Sequence, residues 1–185
     1  MTQKRCIVVH GCTTSSKDTT YNKHWIPWLK KNLTEHGFEV DTPDMPLPWE
    51  PDYEKFKGAF EACAVDEDTT LVGDSCGCAF LVRWLGESKQ KIDKLILVAP
   101  WKIAYRQDGS DKDFYGFEID PSITERVNEL VFFTADDEED DGKKSLEIYK
   151  SVLDGKVVDL PGRGHYVLGD MGTEEFPELL DFILN

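Results

Sequence analysis

The amino-acid sequence predicts an α/β protein, a three-layer α/β/α sandwich whose sheet has about six parallel strands. Three observations lead there. Short apolar runs such as Cys6-Ile7-Val8-Val9 and Leu95-Ile96-Leu97-Val98 show no polar alternation, the pattern of strands buried on both faces. These runs stop at glycine or proline turns, marked by Gly11, Gly73 and Pro100. Between them lie stretches with apolar residues at helical spacing, and parallel neighbours need such crossovers. The 185 residues are enough to bury one core, so a single domain over residues 1–185 is expected.

Taken in order, Cys6 to Val9 is the first strand, and it points at a Thr/Ser-rich loop from Cys12 to Tyr21. A helix follows over Asn22 to His36, with Trp25, Trp28, Leu29 and Leu33 on one stripe and Gly37 as its stop. Phe38-Glu39-Val40 is a short second strand, and Pro43, Pro46, Pro48 and Pro51 then forbid regular hydrogen bonding. A helix over Tyr53 to Ala64 places Phe56, Phe60 and Cys63 on one face. Thr70-Leu71-Val72 is the third strand, with an apolar helix from Cys76 to Leu85 directly behind it. The fourth strand is Lys94 to Ala99, and Trp101 to Asp120 reads as an irregular aromatic and charged segment. Leu130 to Phe133 and Lys156 to Leu160 are the last two strands, each followed by a helix, Lys143 to Leu153 lying between them and Glu174 to Leu184 at the end.

Composition excludes several classes of partner. Thirty-six Asp and Glu against 21 Lys and Arg give a net charge of -15, which repels nucleic-acid backbones and anionic membrane surfaces. No apolar run approaches the roughly 18 residues of a membrane span. The N-terminal residues lack the longer apolar stretch and cleavage site of a secretory signal, so a cytoplasmic location is expected. Cys6, Cys12, Cys63, Cys76 and Cys78 show no CxxC spacing of a zinc site and are expected to be reduced, buried thiols.

Chemistry concentrates at Gly73-Asp74-Ser75-Cys76-Gly77, a G-x-S-x-G match on a strand-to-helix joint, which is the context that pattern requires. Glycines at 73 and 77 let the helix pack against the strand while the Ser75 hydroxyl projects into a crevice. A serine hydroxyl is a poor nucleophile at neutral pH and needs a base. His165, in Pro161-Gly162-Arg163-Gly164-His165 just past the sixth strand, fits that demand, whereas His24 and His36 lie on the first helix and His10 ends the first strand. The imidazole in turn needs a carboxylate, and the acidic run from Asp136 to Asp141 after the fifth strand offers Asp136 or Asp137. Donors for an oxyanion are expected from the backbone N–H groups of Cys76, after the nucleophile, and Cys12, after the first strand.

With these pieces assembled, nearly the whole chain resembles the small serine hydrolases related to retinoblastoma-binding protein 9, a capless branch of the α/β-hydrolase superfamily. The likeness includes the glycine turn after the first strand, Trp25-x-x-Trp28, Asp44-Met45-Pro46, Gly73-x-Ser75-x-Gly77, Asp136-Asp137 and Gly164-His165. The resemblance implies a minimal α/β-hydrolase fold without a cap domain and a triad of Ser75, Asp137 and His165. It implies cleavage of a small-molecule carboxylic ester, thioester or amide through an acyl-enzyme, with no cofactor. Two residues depart from the family: Asp74 stands where histidine is common and Cys76 where serine is common. An extra carboxylate beside the nucleophile favours protonated His165 and disfavours anionic substrates. No Leu-x-Cys-x-Glu sequence is present, so binding of the retinoblastoma protein by that route is not implied. Trp101, Tyr105, Phe114, Tyr115 and Phe117 are equally readable as core or as the lining of an acyl pocket. The competing readings are a catalytically silent binding protein on the same fold and an acyltransferase.

Overall fold

The structure, a computed structural model, describes residues 4–185. Six strands form one sheet: β1 (Arg5–Val9), β2 (Glu39–Asp41), β3 (Thr69–Asp74), β4 (Ile92–Val98), β5 (Val127–Ala135) and β6 (Lys156–Leu160). All neighbours are parallel and their order is β2-β1-β3-β4-β5-β6. The helices are α1 (Ile26–Glu35), α2 (Tyr53–Phe60), α3 (Cys76–Ser88), α4 (Lys112–Tyr115), α5 (Asp140–Lys150), α6 (Leu168–Met171) and α7 (Pro177–Leu184). The sheet order reverses between β1 and β3, so their following loops part and leave a crevice at the strands' carboxyl ends.

Strand periodicity sorts the core into two faces. Ile7, Val9, Leu71, Leu95, Leu97 and Phe132 point to one side and pack against α2, α3, α4 and α5 through Phe56, Phe80, Phe114 and Tyr149. Cys6, Val8, Val72, Ile96, Val131 and Phe133 point to the other and meet α1 and α7 through Trp25, Leu29, Leu33 and Leu179. The central strands are covered on both faces, which is why their sequences read as continuous apolar runs. Among the described residues no cap domain covers the strand ends, in keeping with the expected three-layer architecture.

Several boundaries move for identifiable reasons. The first helix starts at Ile26 rather than Asn22, because Pro27 suits the first helical turn, where its missing N–H has no partner to lose. The helix at Tyr53 opens on Asp52, whose carboxylate accepts the Lys55 N–H at 2.9 Å, and it ends at Phe60, before Ala64. Strands β3, β4 and β5 run past their apolar stretches. Lys94 shows how a polar residue is tolerated there: its Nζ donates to the Phe182 carbonyl at 3.0 Å and lies 3.4 Å from Glu129. The segment from Trp101 to Asp120 contains the short α4, and a 3-10 turn over Pro121–Glu125 follows it. Lys102 ties this segment down, its ammonium donating to the carbonyls of Tyr115 and Phe117. Among the described residues, no helix is long and apolar enough to cross a membrane.

Candidate active site

Ser75 sits between the last residue of β3 and the first of α3, with φ 50° and ψ -114°. A non-glycine residue in the left-handed region carries strain of about 1–3 kcal/mol and persists only where the surroundings enforce it. Here they do. The Ser75 N–H donates to Val98 O at 2.9 Å, and its carbonyl accepts from the N–H groups of Cys78 at 3.0 Å and Trp101 at 3.3 Å. The flanking glycines are steric necessities: a Cβ on Gly73 would lie 2.8 Å from the Cys78 backbone, and one on Gly77 only 2.3 Å from Val9 O. The elbow is thus pressed against β1 and raises the hydroxyl above the sheet.

His165 arrives from the loop after β6. Gly164 adopts φ 48°, and the His165 N–H donates to the Asp170 carboxylate at 2.9 Å, which aims the ring back over the strand ends. Its Nε2 lies 2.8 Å from Ser75 Oγ, and its Nδ1 lies 3.0 and 3.1 Å from the two carboxylate oxygens of Glu138. A carboxylate on Nδ1 fixes the proton there, leaving Nε2 free to accept from the serine hydroxyl. Trp101 packs edge-on against the imidazole with ring centroids 5.5 Å apart.

The carboxylate on the ring is therefore not that of the expected Asp137. Asp137 does not touch His165; its carboxylate accepts the Gly164 N–H at 2.8 Å, while Asp136 accepts the Gly162 N–H at 2.8 Å. Both aspartates hold the histidine loop by its backbone, and the side chain that reaches the ring belongs to the next residue. Glu138 is 4% exposed and accepts a second bond from the Glu139 N–H at 2.8 Å. Its carboxylate occupies room left by Gly142, four residues on. A Cβ at Gly142 would lie 2.7 Å from Glu138 Cδ, so the glycine makes room for that carboxylate.

The expectation of reduced thiols is also corrected at two positions. Cys12 and Cys76 form a disulfide with Cα atoms 5.6 Å apart, bridging 64 residues of sequence, while Cys6, Cys63 and Cys78 are free. The bridge joins the two residues whose backbone amides were expected to face an oxyanion. As the first residue of α3, Cys76 has no carbonyl one turn back for its N–H. The Cys12 loop is held by buried His10, which donates through Nδ1 to Gly11 O at 2.8 Å and accepts the Met45 N–H at Nε2 at 2.9 Å. Desolvation keeps His10 below the ordinary histidine pKa, in accord with this neutral tautomer. Among the described residues, no cluster of His, Cys, Asp and Glu is arranged to hold a metal ion.

Electrostatics at the site are set by carboxylates. Desolvation pulls the His165 pKa down, but the Glu138 hydrogen bond and charge, with a further contribution from Asp74, outweigh it and leave the pKa raised. Desolvation pushes Asp74 up to about 7, only partly offset by the nearby His165 charge and the Gly11 amide. Two clefts open from Ser75. One, of about 290 Å³, is lined by Gly11, Asp18, Tyr21, His24 and Asp74; the other, of about 340 Å³, by Trp101, Tyr105, Tyr115, Glu139 and Asp141. Of the five aromatics named from sequence, Trp101, Tyr105 and Tyr115 line this second cleft, whereas Phe114 is buried in the core.

The six-stranded parallel sheet, with a serine on the β3 elbow and a histidine after the last strand, is an α/β-hydrolase-like fold. Residues 6–184 match the serine hydrolase family, and the chain belongs to it. It is 32% identical over 100 residues to YdeN of Bacillus subtilis, named as a hydrolase, a match covering 52% of this chain and about half (50%) of that relative. The solved structure of the ydeN gene product superposes with a TM-score of 0.84 at 23% identity, covering 98% of this chain and 97% of the other. Est1E of Butyrivibrio proteoclasticus shares the fold with a TM-score of 0.67 at 16% identity, covering 98% of this chain and 87% of Est1E.

Proposed function

We propose that the protein cleaves a small-molecule carboxylic ester, thioester or amide through an acyl-enzyme, with Ser75 as nucleophile, His165 as general base and acid, and Glu138 as the residue that orients and stabilises the imidazolium. One observation carries the reading: a single imidazole bridges Ser75 Oγ at 2.8 Å and the Glu138 carboxylate at 3.0 Å. That chain of contacts lets the serine lose its proton to Nε2 as it attacks the carbonyl, and lets the same proton pass to the leaving group. The Cys12 and Cys76 N–H groups are the proposed oxyanion donors, held together by their side-chain bridge. Water then attacks the acyl carbon as His165 removes its proton, and the bond from the acyl carbon to Ser75 Oγ breaks as that proton passes to Oγ, releasing the acid and restoring the serine. Every proton and developing charge is handled by side chains and amides, so these steps call for no cofactor.

The resemblance to the retinoblastoma-binding protein 9 relatives supports the same chemistry on a capless fold, with a glutamate one residue later in place of the expected aspartate. Labelling with a fluorophosphonate probe tests the reading. A covalent adduct on Ser75 in folded wild type, absent from Ser75→Ala, is expected. A wild-type protein that takes no label, or a Ser75→Ala protein that labels equally, would leave a silent binding protein in its place.

A further inference from the structure

The two clefts beside Ser75 share an unusual charge pattern. Asp18 and Asp74 lie in one and Glu139 and Asp141 in the other, and among the described residues no lysine or arginine lines either. Asp74 differs from the other three. It is 7% exposed, it immediately precedes the nucleophile, and the Gly11 amide is the one donor directed at it among the described residues. An ionised carboxylate accepts about four hydrogen bonds, and leaving a buried one short of partners is costly.

Its open side faces the cleft. Asp74 and Ser75 line the same cleft, and both close on Gly11, where a Cβ would lie 3.1 Å from Asp74 Oδ2 and 3.3 Å from Ser75 Cβ. Neither nearby histidine is a standing counter-ion for Asp74 in the reactive state. His24 accepts the Leu168 N–H at Nδ1 at 3.0 Å, and desolvation lowers its pKa, so it is neutral at pH 7. His165 offsets the Asp74 charge in part when protonated, but as the proposed base, held between Ser75 and Glu138, it must be neutral to act.

Resting on the hydrolase reading, we propose that Asp74 is a specificity residue that binds a cationic nitrogen of the substrate, so that esters or amides carrying an ammonium group within a few bonds of the scissile carbonyl are preferred. The ammonium sits in the Gly11–Tyr21 cleft. An uncharged, apolar portion lies against Trp101, Tyr105 and Tyr115, and substrates with a carboxylate near the reacting carbon are repelled.

Matched esters test this at pH 8, where Asp74 is ionised: ethyl γ-aminobutyrate, its uncharged isostere ethyl pentanoate, and monoethyl glutarate. Choline pentanoate and its uncharged tert-butyl isostere form a second pair that places the cation on the alcohol side. In at least one pair, wild-type kcat/KM is expected to favour the cation by about tenfold or more, mainly through KM, with the glutarate ester slowest. Asp74→Asn brings that ratio close to one, whatever it does to the neutral ester. A wild type with no cation preference, or a preference that survives Asp74→Asn, overturns the proposal. Should that variant not fold, inhibition of wild-type ethyl pentanoate hydrolysis decides: butylammonium competing better than butanol supports the subsite, and equal competition refutes it. Turnover of ethyl pentanoate without cation preference removes the subsite alone. No turnover of any ester, with no fluorophosphonate adduct, removes the hydrolase reading and the subsite with it.

Discussion

Replacing Glu138 by glutamine separates the observed carboxylate partner of His165 from the one its neighbours suggest. Glu138 Oε1 lies 3.0 Å from His165 Nδ1 and the carboxylate is almost fully buried. At that distance and an effective dielectric of about 20, a full charge stabilises the imidazolium by roughly 5 kcal/mol, close to 10⁴ in rate. Glutamine keeps the shape and part of the dipole, so a fall in kcat/KM of about 10³ to 10⁴ is expected. Asp137→Asn removes a charge but keeps an acceptor for the Gly164 N–H, a bond worth about 1 kcal/mol, so its loss is expected to stay within about tenfold. Initial rates on a neutral ester, with circular dichroism to confirm folding of both variants, make the comparison. An Asp137→Asn variant as crippled as Glu138→Gln, or a Glu138→Gln variant with near-normal rates, would refute the assignment of the acid.

With His165 as the proposed base, which must be neutral to act, its raised pKa is expected to place the ascending limb of kcat/KM above the ordinary histidine value of 6.5. Because the Asp74 charge stabilises the imidazolium, Asp74→Asn moves that limb to lower pH, and a shift to higher pH would contradict the electrostatic account. Alkylation under denaturing, non-reducing conditions is expected to modify only Cys6, Cys63 and Cys78; modification of Cys12 or Cys76 as well would deny the bridge. Cys12→Ala with Cys76→Ala is expected to lower stability by about 4 kcal/mol in urea titrations, from the loop-closure entropy of the long intervening chain. Gly77→Ala forces a methyl group against Val9 O, so a loss of about 1–3 kcal/mol and a lower melting temperature are expected, with reduced turnover as the elbow shifts.

Much of this arrangement was legible because parallel strands buried on both faces leave unmistakable apolar runs, and because a strained serine turn demands glycines at fixed spacing. Ser75 and His165 follow from those constraints and from chain order. The acid does not. Asp136, Asp137 and Glu138 are consecutive, so a shift of one residue in the turn after β5 decides which carboxylate faces the ring, and composition carries no record of that phase. The room left by Gly142 is visible only once α5 is built. The Cys12–Cys76 pairing was equally hidden, since it joins residues 64 positions apart that meet only where β1 and β3 bring their loops together. Pro27 set the true start of α1 against a hydrophobic stripe that extends earlier.

The carboxylates around Ser75 also bear on how a catalytic cycle ends. In the proposed ester hydrolysis the released acid ionises at once at neutral pH, so the acyl product would acquire its charge between Asp74 on one side and Glu139 on the other. A group that entered as an uncharged carbonyl leaves as an anion inside a negative field. Where the alcohol portion carries the cation, the acyl product has no contact with Asp74 to retain it, and the negative field favours its departure.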